Sequence, residues 1–287
     1  MRYRCIDRRR NDYPVREMCR LLKVSRSGYY AWRERPESAR AKTDRELTQA
    51  IQRVHIDSRG TYGSPRITDE LKEEGYTHGH NKVARLMRIV GLRGCPQRRY
   101  KVTTQRDPSH PVADNLLEQD FTAEGPNERW VADITYLPTR QGCLYLAVVM
   151  DLYSRRIVGW SMSQWISRHL VIDALNMALD QRRPQSELIH HSDRGSQYTS
   201  DDFRELLEEH GIECSMSGRG NCYDNAAVES FFGLLKRERA NRIYLTRDEA
   251  RADVFEYIEC FYNRKRRHGY VGNISPAAFE KQAQGLR

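Results

Sequence analysis

Residues 143–163 read CLYLAVVMDLYSRRIVGWSMS and decide the fold class. Two apolar stretches rich in β-branched and aromatic residues flank a polar turn at Tyr153–Arg156, which predicts two β-strands. The first stretch is almost continuously apolar, which is typical of a strand buried at the centre of a sheet. Residues 130–137, WVADITYL, have the same composition and predict a third strand.

Helical and strand patterns alternate after these strands. The predicted elements are a helix after Ser167, a strand at 187–191 (ELIHH), a helix from Ser200 to Gly211, a strand at 212–216 (IECSM) and an amphipathic helix within residues 220–238, GNCYDNAAVESFFGLLKRE. Asp224 is the predicted N-cap of that last helix. Three strands followed by alternating helices and strands predict a mixed α/β sheet covered by helices.

The amphipathic helix of residues 220–238 has two distinct faces. One is an ordinary core stripe, made of Ala227, Val228, Phe231, Leu234 and Leu235. The other carries polar or small residues, with Phe232 at its edge: Asn225, Glu229, Gly233 and Lys236. A solvated surface is the simplest interpretation of this second face, and the carboxylates elsewhere in the chain offer another.

Two helical regions are predicted before the sheet. Residues 13–33 predict two short helices around a tight turn, with Ser25 as the cap of the second. In the helix-turn-helix layout the second helix enters a major groove of DNA, although many helical hairpins share this pattern. The candidate DNA contacts on the second helix are Arg26, Ser27 and Tyr29. Residues 43–92 predict a three-helix unit, either a second helix-turn-helix-like region or a spacer.

The remaining segments are basic. A linker is predicted where Arg, Pro, Gln and Thr are frequent and periodicity is weak. A final helix begins at the capping box Thr246…Glu249, extends to about Tyr262 and is followed by the basic cluster NRKRRHGY. The predicted organisation is therefore 1–36 helix-turn-helix, 43–92 helical region, 93–127 basic linker, 128–240 α/β core, and 241–287 C-terminal helix and basic tail.

Composition and charge restrict the function classes. The chain has 287 residues and 39% hydrophobic residues, a globular balance without a transmembrane stretch or a signal peptide. Its seven cysteines form no C-x-x-C pair, which favours reduced thiols in a cytosolic protein. Residues 1–110 hold 26 Lys and Arg against 13 Asp and Glu, whereas residues 111–235 hold 10 against 19. Basic flanks favour a polyanionic partner, although a random excess of surface arginine would give the same count.

Four carboxylates stand out in the acidic middle. Asp133 lies inside an apolar strand, where an unpaired charge is costly. Asp151 ends a strand, and Asp193 directly follows the predicted strand ELIHH, at the sheet edge where α/β proteins bind ligands. Glu229 projects from the polar face of the amphipathic helix. Each has an ordinary interpretation, as a hydrogen-bonded strand or turn aspartate or as a surface glutamate.

Three of them together fit a two-metal site. Two divalent ions can stabilise the entering and leaving oxygens of a displacement at phosphorus. We expect Asp133 to contact both ions, Asp193 one and Glu229 the other, since Mg²⁺ uses few protein carboxylates. Lys236 is a candidate contact to a DNA phosphate, and Asn225 is a candidate to hold Glu229 or the DNA backbone.

Four blocks of this sequence resemble the transposases of bacterial insertion sequences, which are related to retroviral integrases. The blocks are DITY from Asp133, YLAVVMDLYSRRIVGW, HHSDRGSQYTS around Asp193, and GNCYDNAAVESFFGLLK with Glu229 and Lys236. Thirty-five residues separate Asp193 from Glu229, as in the D,D-35-E group. The resemblance covers residues 12 to 280, including SRGTYGSPRI and YNRKRRH…SPAAFE, and is to second-reading-frame products. Arg267 and Gly269–Tyr270 depart from the usual pattern of the tail.

The resemblance implies a ribonuclease-H-like catalytic core with N-terminal all-helical DNA-binding regions. It implies that Asp133, Asp193 and Glu229 are catalytic and bind two Mg²⁺ or Mn²⁺ ions. The implied partners are the terminal inverted repeats and target DNA, further copies of the chain on that DNA, and an upstream-frame protein or fusion, without a membrane. The implied reaction is nicking followed by strand transfer in the bacterial cytoplasm at the nucleoid. The implied DNA contacts in the tail are Arg264, Arg266 and His268.

Two other functions remain open from the sequence. The chain could be a metal-dependent nuclease of the same fold that cuts DNA without joining it. It could instead be a DNA-binding regulator whose α/β half serves only for association. The three carboxylates argue against the regulator.

Overall fold

The computed structural model describes residues 1–95, 113–117, 120–185, 187–218 and 225–285. The chain divides into two compact units, one of Met1–Asp57 with Ile67–Leu92 and one of Ser58–Arg66 with Arg93–Arg287. Most of the predicted basic linker and the predicted N-cap Asp224 lie outside the described residues.

The first unit is helical, as predicted. Its helices are α1 (Arg2–Arg9), α2 (Val15–Leu21), α3 (Arg26–Glu34), α4 (Ala39–Asp57), α5 (Ser64–Glu73, which begins in the second unit) and α6 (His80–Ile89). Helix α1 was not predicted. It is held by Ile6, which is buried with Cys19 and Tyr29 in a small core. Ser25 caps α3 as predicted, because its hydroxyl accepts a hydrogen bond from Gly28 N at 3.0 Å.

The second unit is built on a five-stranded mixed sheet in the order β3-β2-β1-β4-β5. The strands are β1 (Arg129–Thr139), β2 (Gly142–Asp151), β3 (Ile157–Ser163), β4 (Ile189–Ser192) and β5 (Glu213–Met216). The β1–β2 and β2–β3 pairs are antiparallel, and β4 is parallel to both β1 and β5. All five predicted strands are therefore confirmed.

Helices cover the sheet where the sequence predicts them. They are α7 (Arg168–Arg182), α8 (Asp201–Glu209), α9 (Ala226–Glu238) and α10 (Arg247–Phe255). Helix α7 lies on β2 and β3, and α9 and α10 contact β1. Gly159 allows the close approach of α7, since a Cβ there would lie 2.1 Å from Ala174 O.

The C-terminal segment differs in part from its prediction. Thr246 caps α10 as predicted, because its Oγ1 accepts from Glu249 N at 3.0 Å, while the Glu249 carboxylate accepts from Leu245 N at 2.9 Å rather than from Thr246 N. After α10, however, the chain continues as a π-helix (Glu256–Tyr262), then a short 3₁₀ turn (Gly269–Val271) and α11 (Pro276–Ala283). The π-helix buries four side chains: Tyr257, Ile258, Phe261 and Tyr262.

Residues Ser58–Arg66 belong to the second unit, although they lie within the predicted 43–92 helical region. Tyr62 explains the difference. Its hydroxyl accepts from Arg267 N at 2.8 Å and lies 3.2 Å from Lys265 O, to which it donates. Arg59 pairs with Glu256 and lies over the Phe261 ring. These bonds fix the segment to the C-terminal part of the chain.

Candidate active site

The parallel pair β1–β4 brings two of the predicted carboxylates together. Its ladder ends at the register partners Ala132 and Ser192. Asp133 is the next residue of β1 and Asp193 is the first residue after β4, and neighbouring strands lie about 4.8 Å apart. The two aspartates, 60 positions apart in the sequence, therefore begin from adjacent positions at the same end of the sheet.

Asp133 lies in surroundings that disfavour its charge. Ile134 N donates to its Oδ1 at 2.7 Å. The pKa of Asp133 is raised to about 8, first by burial and then by the charges of Asp193 and Glu229, while the Ile134 hydrogen bond and Lys236 oppose the shift. A carboxyl group flanked by two others is the chemistry expected of a cation ligand.

Asp193 occupies an exposed turn directly after β4. Gly195 N donates to its Oδ1 at 2.9 Å, which fixes the side chain over its own turn. Beneath the turn, Tyr198 is buried with Phe203 and His190. Burial raises the pKa of Tyr198, and the charges of Asp133 and Asp193 act in the same direction.

Helix α9 supplies Glu229. Its buried face, which orients the helix, consists of Val228, Phe231, Phe232 and Leu235. Phe232 is thus a core residue, although the sequence placed it at the edge of the polar face. Glu229 is partly buried, and burial raises its pKa.

Asn225 connects α9 to β1. It occupies the N-cap position, but its side chain makes no capping hydrogen bond. Instead its Nδ2 donates to Ala132 O at 3.0 Å, next to Asp133. The side chain is buried, and this hydrogen bond is to the backbone of β1 rather than to Glu229. Asn225 links the start of the Glu229 helix to the backbone of the Asp133 strand.

Lys236 lies two turns after Glu229 and points back towards the same edge. Its Nζ is 5.0 Å from the ring centroid of Tyr136 in β1. Burial lowers the pKa of Lys236, and the charge of Asp133 acts in the opposite direction. The ammonium group therefore lies near Asp133 and beside an exposed aromatic ring.

The fit of this site to divalent cations depends on its donor set. Carboxylate oxygens are the ligands that Mg²⁺ and Mn²⁺ prefer, and the charges of Asp193 and Glu229 both act to raise the pKa of Asp133. Within the described part of the chain, no group of three His, Cys, Asp or Glu side chains is gathered closely enough to hold a metal ion. The residues thus fit the ions by chemistry, and binding would require the side chains to draw closer.

Asp151, the fourth carboxylate considered from the sequence, is part of the framework. It is completely buried and accepts from Asn127 N at 3.0 Å and Tyr153 N at 2.9 Å. Arg182 lies 3.9 Å away and also pairs with Glu280 of α11. This network joins the β2–β3 turn to the C-terminal helix.

Of the three residues expected to contact DNA in the tail, Arg266 is a core residue, His268 is partly buried and Arg264 is exposed. Arg266 is 1% exposed, and its guanidinium donates to both oxygens of Glu238, at 2.9 and 2.7 Å. The prediction for Arg266 is therefore wrong, because its charge is already paired inside the protein. His268 is partly buried, and burial with the charges of nearby arginines lowers its pKa to about 4, so it is neutral. Arg264 is exposed.

Of the three DNA contacts predicted on α3, two are exposed and one is buried. Arg26 and Ser27 are exposed on the first turn of the helix. Tyr29 is fully buried, and its hydroxyl donates to Asp7 Oδ1 at 3.0 Å. The prediction for Tyr29 is wrong because α1, which the sequence did not predict, covers that side of α3.

Sequence reasoning missed Tyr136 and Tyr198 beside the carboxylates. An aromatic residue in a strand is ordinary β-propensity, so Tyr136 had no distinguishing signal. Tyr198 lies in the turn between β4 and α8, and its sequence context gave no such signal either.

Three family models match the chain. Residues 123–222 and 229–283 match models described as integrase core domain, and residues 42–100 match an HTH-like domain. The integrase core models confirm the predicted fold class together with the observed strand order. Among the described residues, no helix is long and apolar enough to cross a membrane.

Curated relatives are similar over nearly the whole chain. A transposase InsF for insertion sequence IS3A of Escherichia coli is 45% identical over 285 residues, covering 98% of this chain and 99% of that protein. An uncharacterized 31 kDa protein of insertion element IS600 from Shigella sonnei is 47% identical and covers 92% of this chain and 98% of its own length.

Solved structures give weaker similarity. The HTLV-2 integrase catalytic core domain in complex with magnesium has a TM-score of 0.43 and 18% identity, covering 55% of this chain and 99% of that one. A simian T-cell lymphotropic virus intasome in complex with PP2A regulatory subunit B56 gamma has a TM-score of 0.41 and 16% identity, covering 74% and 69%. Scores this low support no argument about this chain's chemistry.

Proposed function

The chain belongs to the transposases of insertion sequences of the IS3 type, and we propose that it moves its element by metal-dependent nicking and strand transfer at the terminal inverted repeats. The single observation that carries the catalytic part is the end of the β1–β4 ladder. There Asp133 and Asp193 follow the register partners Ala132 and Ser192, and Glu229 influences the same carboxyl group.

Asp133, Asp193 and Glu229 are the proposed catalytic residues, and they would hold two Mg²⁺ or Mn²⁺ ions. Asp133 would contact both ions, Asp193 one and Glu229 the other. When bound, such ions stabilise the charge that develops on the entering and leaving oxygens at phosphorus. The elevated pKa of Asp133 supports this assignment, because a nearby cation favours the ionised form that the neighbouring carboxylates disfavour.

The framework around the carboxylates performs the positioning. Asn225 ties the first turn of α9 to Ala132 O, which sets the distance between the Glu229 helix and the Asp133 strand. Lys236 places a positive charge on the same edge, where it would meet a DNA phosphate next to the scissile bond. Water would be the nucleophile for nicking, and a DNA 3′-hydroxyl the nucleophile for strand transfer.

DNA contacts outside the carboxylate edge are proposed at exposed basic or polar positions. They are Arg26 and Ser27 on α3 and Arg264 in the tail. The basic composition of residues 1–110 supports binding of the duplex by its phosphates. We also propose that several copies of the chain assemble on the DNA in the bacterial cytoplasm at the nucleoid, with an upstream-frame protein as partner or fusion.

An oligonucleotide assay tests the proposal. The substrate is the duplex that flanks the gene on each side, labelled at the end, and the full chain is incubated with Mg²⁺ or with a chelator. We expect a Mg²⁺-dependent nick at the end of the inverted repeat, and joining when pre-cleaved ends are supplied. A scrambled flank is the matched control.

Each other outcome has a defined meaning. Nicking without joining of pre-cleaved ends would identify a nuclease of this fold. Specific binding of the flanks without any Mg²⁺-dependent cleavage, alone or with the upstream-frame protein, would identify a regulator and overturn the proposal.

A further inference from the structure

The edge of β1 beyond Asp133 carries an exposed aromatic side chain. The parallel ladder with β4 covers only Arg129–Ala132, whereas β1 continues to Thr139. Tyr136 lies on this continuation and is 56% exposed. A tyrosine with this exposure contributes little to a core, so its value to the fold is small.

The ring of Tyr136 contacts the end of one lysine side chain. Lys236 Nζ is 5.0 Å from the ring centroid, within the range of about 6 Å in which a cation is attracted to the face of an aromatic ring. Lysine has a flexible four-carbon stem, and fixing such a side chain has an entropic cost. A ring at this place limits the positions that the ammonium group occupies.

That position matters because of what surrounds it. Helix α9, which carries Lys236, packs on β1, and Glu229 lies two turns earlier on the same helix. Without the ring, the ammonium group would move more freely on its flexible stem, into solvent and away from this edge. Fewer of its positions would then meet the phosphate next to the scissile bond.

We propose that Tyr136 is a positioning residue, whose ring keeps the Lys236 ammonium group beside the carboxylate edge and available to the phosphate next to the scissile bond. This inference rests on the proposed function for its consequence in catalysis. The contact itself is a property of the protein alone. The two can therefore be tested separately.

The first experiment measures the contact without DNA or metal. The full chain is reductively methylated, and the rate of modification at Lys236 is followed by mass spectrometry. We expect Tyr136→Leu to increase the rate at Lys236 several-fold and Tyr136→Phe, which retains the ring, to leave it within twofold of the natural protein. An unchanged rate in Tyr136→Leu would overturn the proposal, whatever the protein does with DNA.

The second experiment measures the consequence in single-turnover cleavage of the flanking duplex with Mg²⁺. A cation–π contact of this kind corresponds to about 3- to 20-fold in rate. We expect Tyr136→Leu to lower the maximal rate by that factor with little change in the DNA concentration at half-saturation, and Tyr136→Phe to retain the rate. In a Lys236→Met background, Tyr136→Leu should cause no further loss, because the ring would then have no ammonium group to position.

The matched control is Tyr270→Leu. Tyr270 is 51% exposed, and the Arg155 guanidinium lies 3.8 Å from its ring centroid. Arg155, however, belongs to the β2–β3 turn, at the end of β2 away from Tyr136. We expect this control to cleave as the natural protein does.

If Tyr136→Leu lowers the cleavage rate by the same factor in the natural protein and in Lys236→Met, the proposal is overturned. Absence of cleavage by the natural protein would count against the proposed function alone.

Discussion

Asp133 and Asp151 lie on adjacent strands of one sheet, and their surroundings are opposite. Asp151 is completely buried, yet two backbone N–H groups donate to it and Arg182 lies nearby, so its pKa rises only to about 6. Asp133 has one backbone donor and two carboxylates for neighbours, and its pKa rises to about 8. A carboxylate that receives several hydrogen bonds therefore belongs to the framework, whereas one with other carboxylates nearby is suited to bind a cation.

The largest expected effect is on DNA cleavage, in which Asp133 and Asp151 should differ. We predict that Asp133→Asn lowers Mg²⁺-dependent cleavage by about 10³-fold or more, as expected when a ligand that stabilises transition-state charge is lost. Asp193→Asn and Glu229→Gln should behave alike, with DNA affinity within about twofold in a gel-shift assay. Asp151→Asn should retain most of the cleavage activity of its folded fraction. Near-normal cleavage by any of the first three variants would contradict the assignment.

Glu238 is a third carboxylate that can be compared with Asp133 and Asp151. It receives two hydrogen bonds from Arg266 and one from Tyr257, so it belongs with Asp151. Arg266→Met removes both of the Arg266 hydrogen bonds and leaves Arg237, 3.9 Å away, as the cation near this carboxylate. We predict a loss of about 3 kcal/mol in the free energy of unfolding, measured by urea denaturation. The exposed Arg264→Met serves as the control, with a change below about 0.5 kcal/mol. Equal small changes in both variants would show that Arg266 is not buried.

Asp151→Asn and Asp133→Asn should also differ in the free energy of unfolding. An asparagine amide replaces one acceptor oxygen, so a buried backbone N–H of Asn127 or Tyr153 loses its partner. We predict a loss of about 2 kcal/mol in the free energy of unfolding. Asp133→Asn should instead be neutral or stabilising at pH 7 without metal. The same urea series measures both, and a larger loss in Asp133→Asn than in Asp151→Asn would reverse the comparison.

The pH dependence of stability gives the smallest effect. Because the folded pKa of Asp133 is raised to about 8, the native state retains a proton that the unfolded state releases near pH 4. Stability therefore falls as pH rises between these values, and the cost is complete above about pH 8.

Asp133→Asn lacks this cost. Its stability relative to the natural protein should increase between pH 7 and pH 9 by about 1–2 kcal/mol, measured with a chelator present. The range starts at pH 7 to lie above the Asp151 pKa of about 6. A difference that does not change with pH would mean that Asp133 is ionised in the folded protein at pH 7.

The sequence alone predicted the sheet because each strand carries its own local signal. Apolar runs located β1 to β5, and the unusual position of Asp133 inside one of them identified a candidate ligand. The polar face of α9 identified Glu229 in the same way. These inferences needed only residue spacing within a short segment.

What the sequence could not predict depends on distant partners. Arg266 was predicted to be a surface cation because its ion-pair partner, Glu238, lies 28 residues away in the sequence. Tyr29 appeared to be a groove contact because its partner Asp7 lies 22 residues away on an unpredicted helix. The contact of Lys236 with Tyr136 likewise joins α9 to β1 through folding alone.

Direct metal binding tests the central claim that three carboxylates form one cation site. Mn²⁺ is titrated into the full chain at pH 8, and the free ion is measured by electron paramagnetic resonance. The account predicts saturable binding that is lost in Asp133→Asn, weakened in Asp193→Asn and Glu229→Gln, and unchanged in Asp151→Asn. Mn²⁺ binding of unchanged affinity and stoichiometry in Asp133→Asn would contradict it.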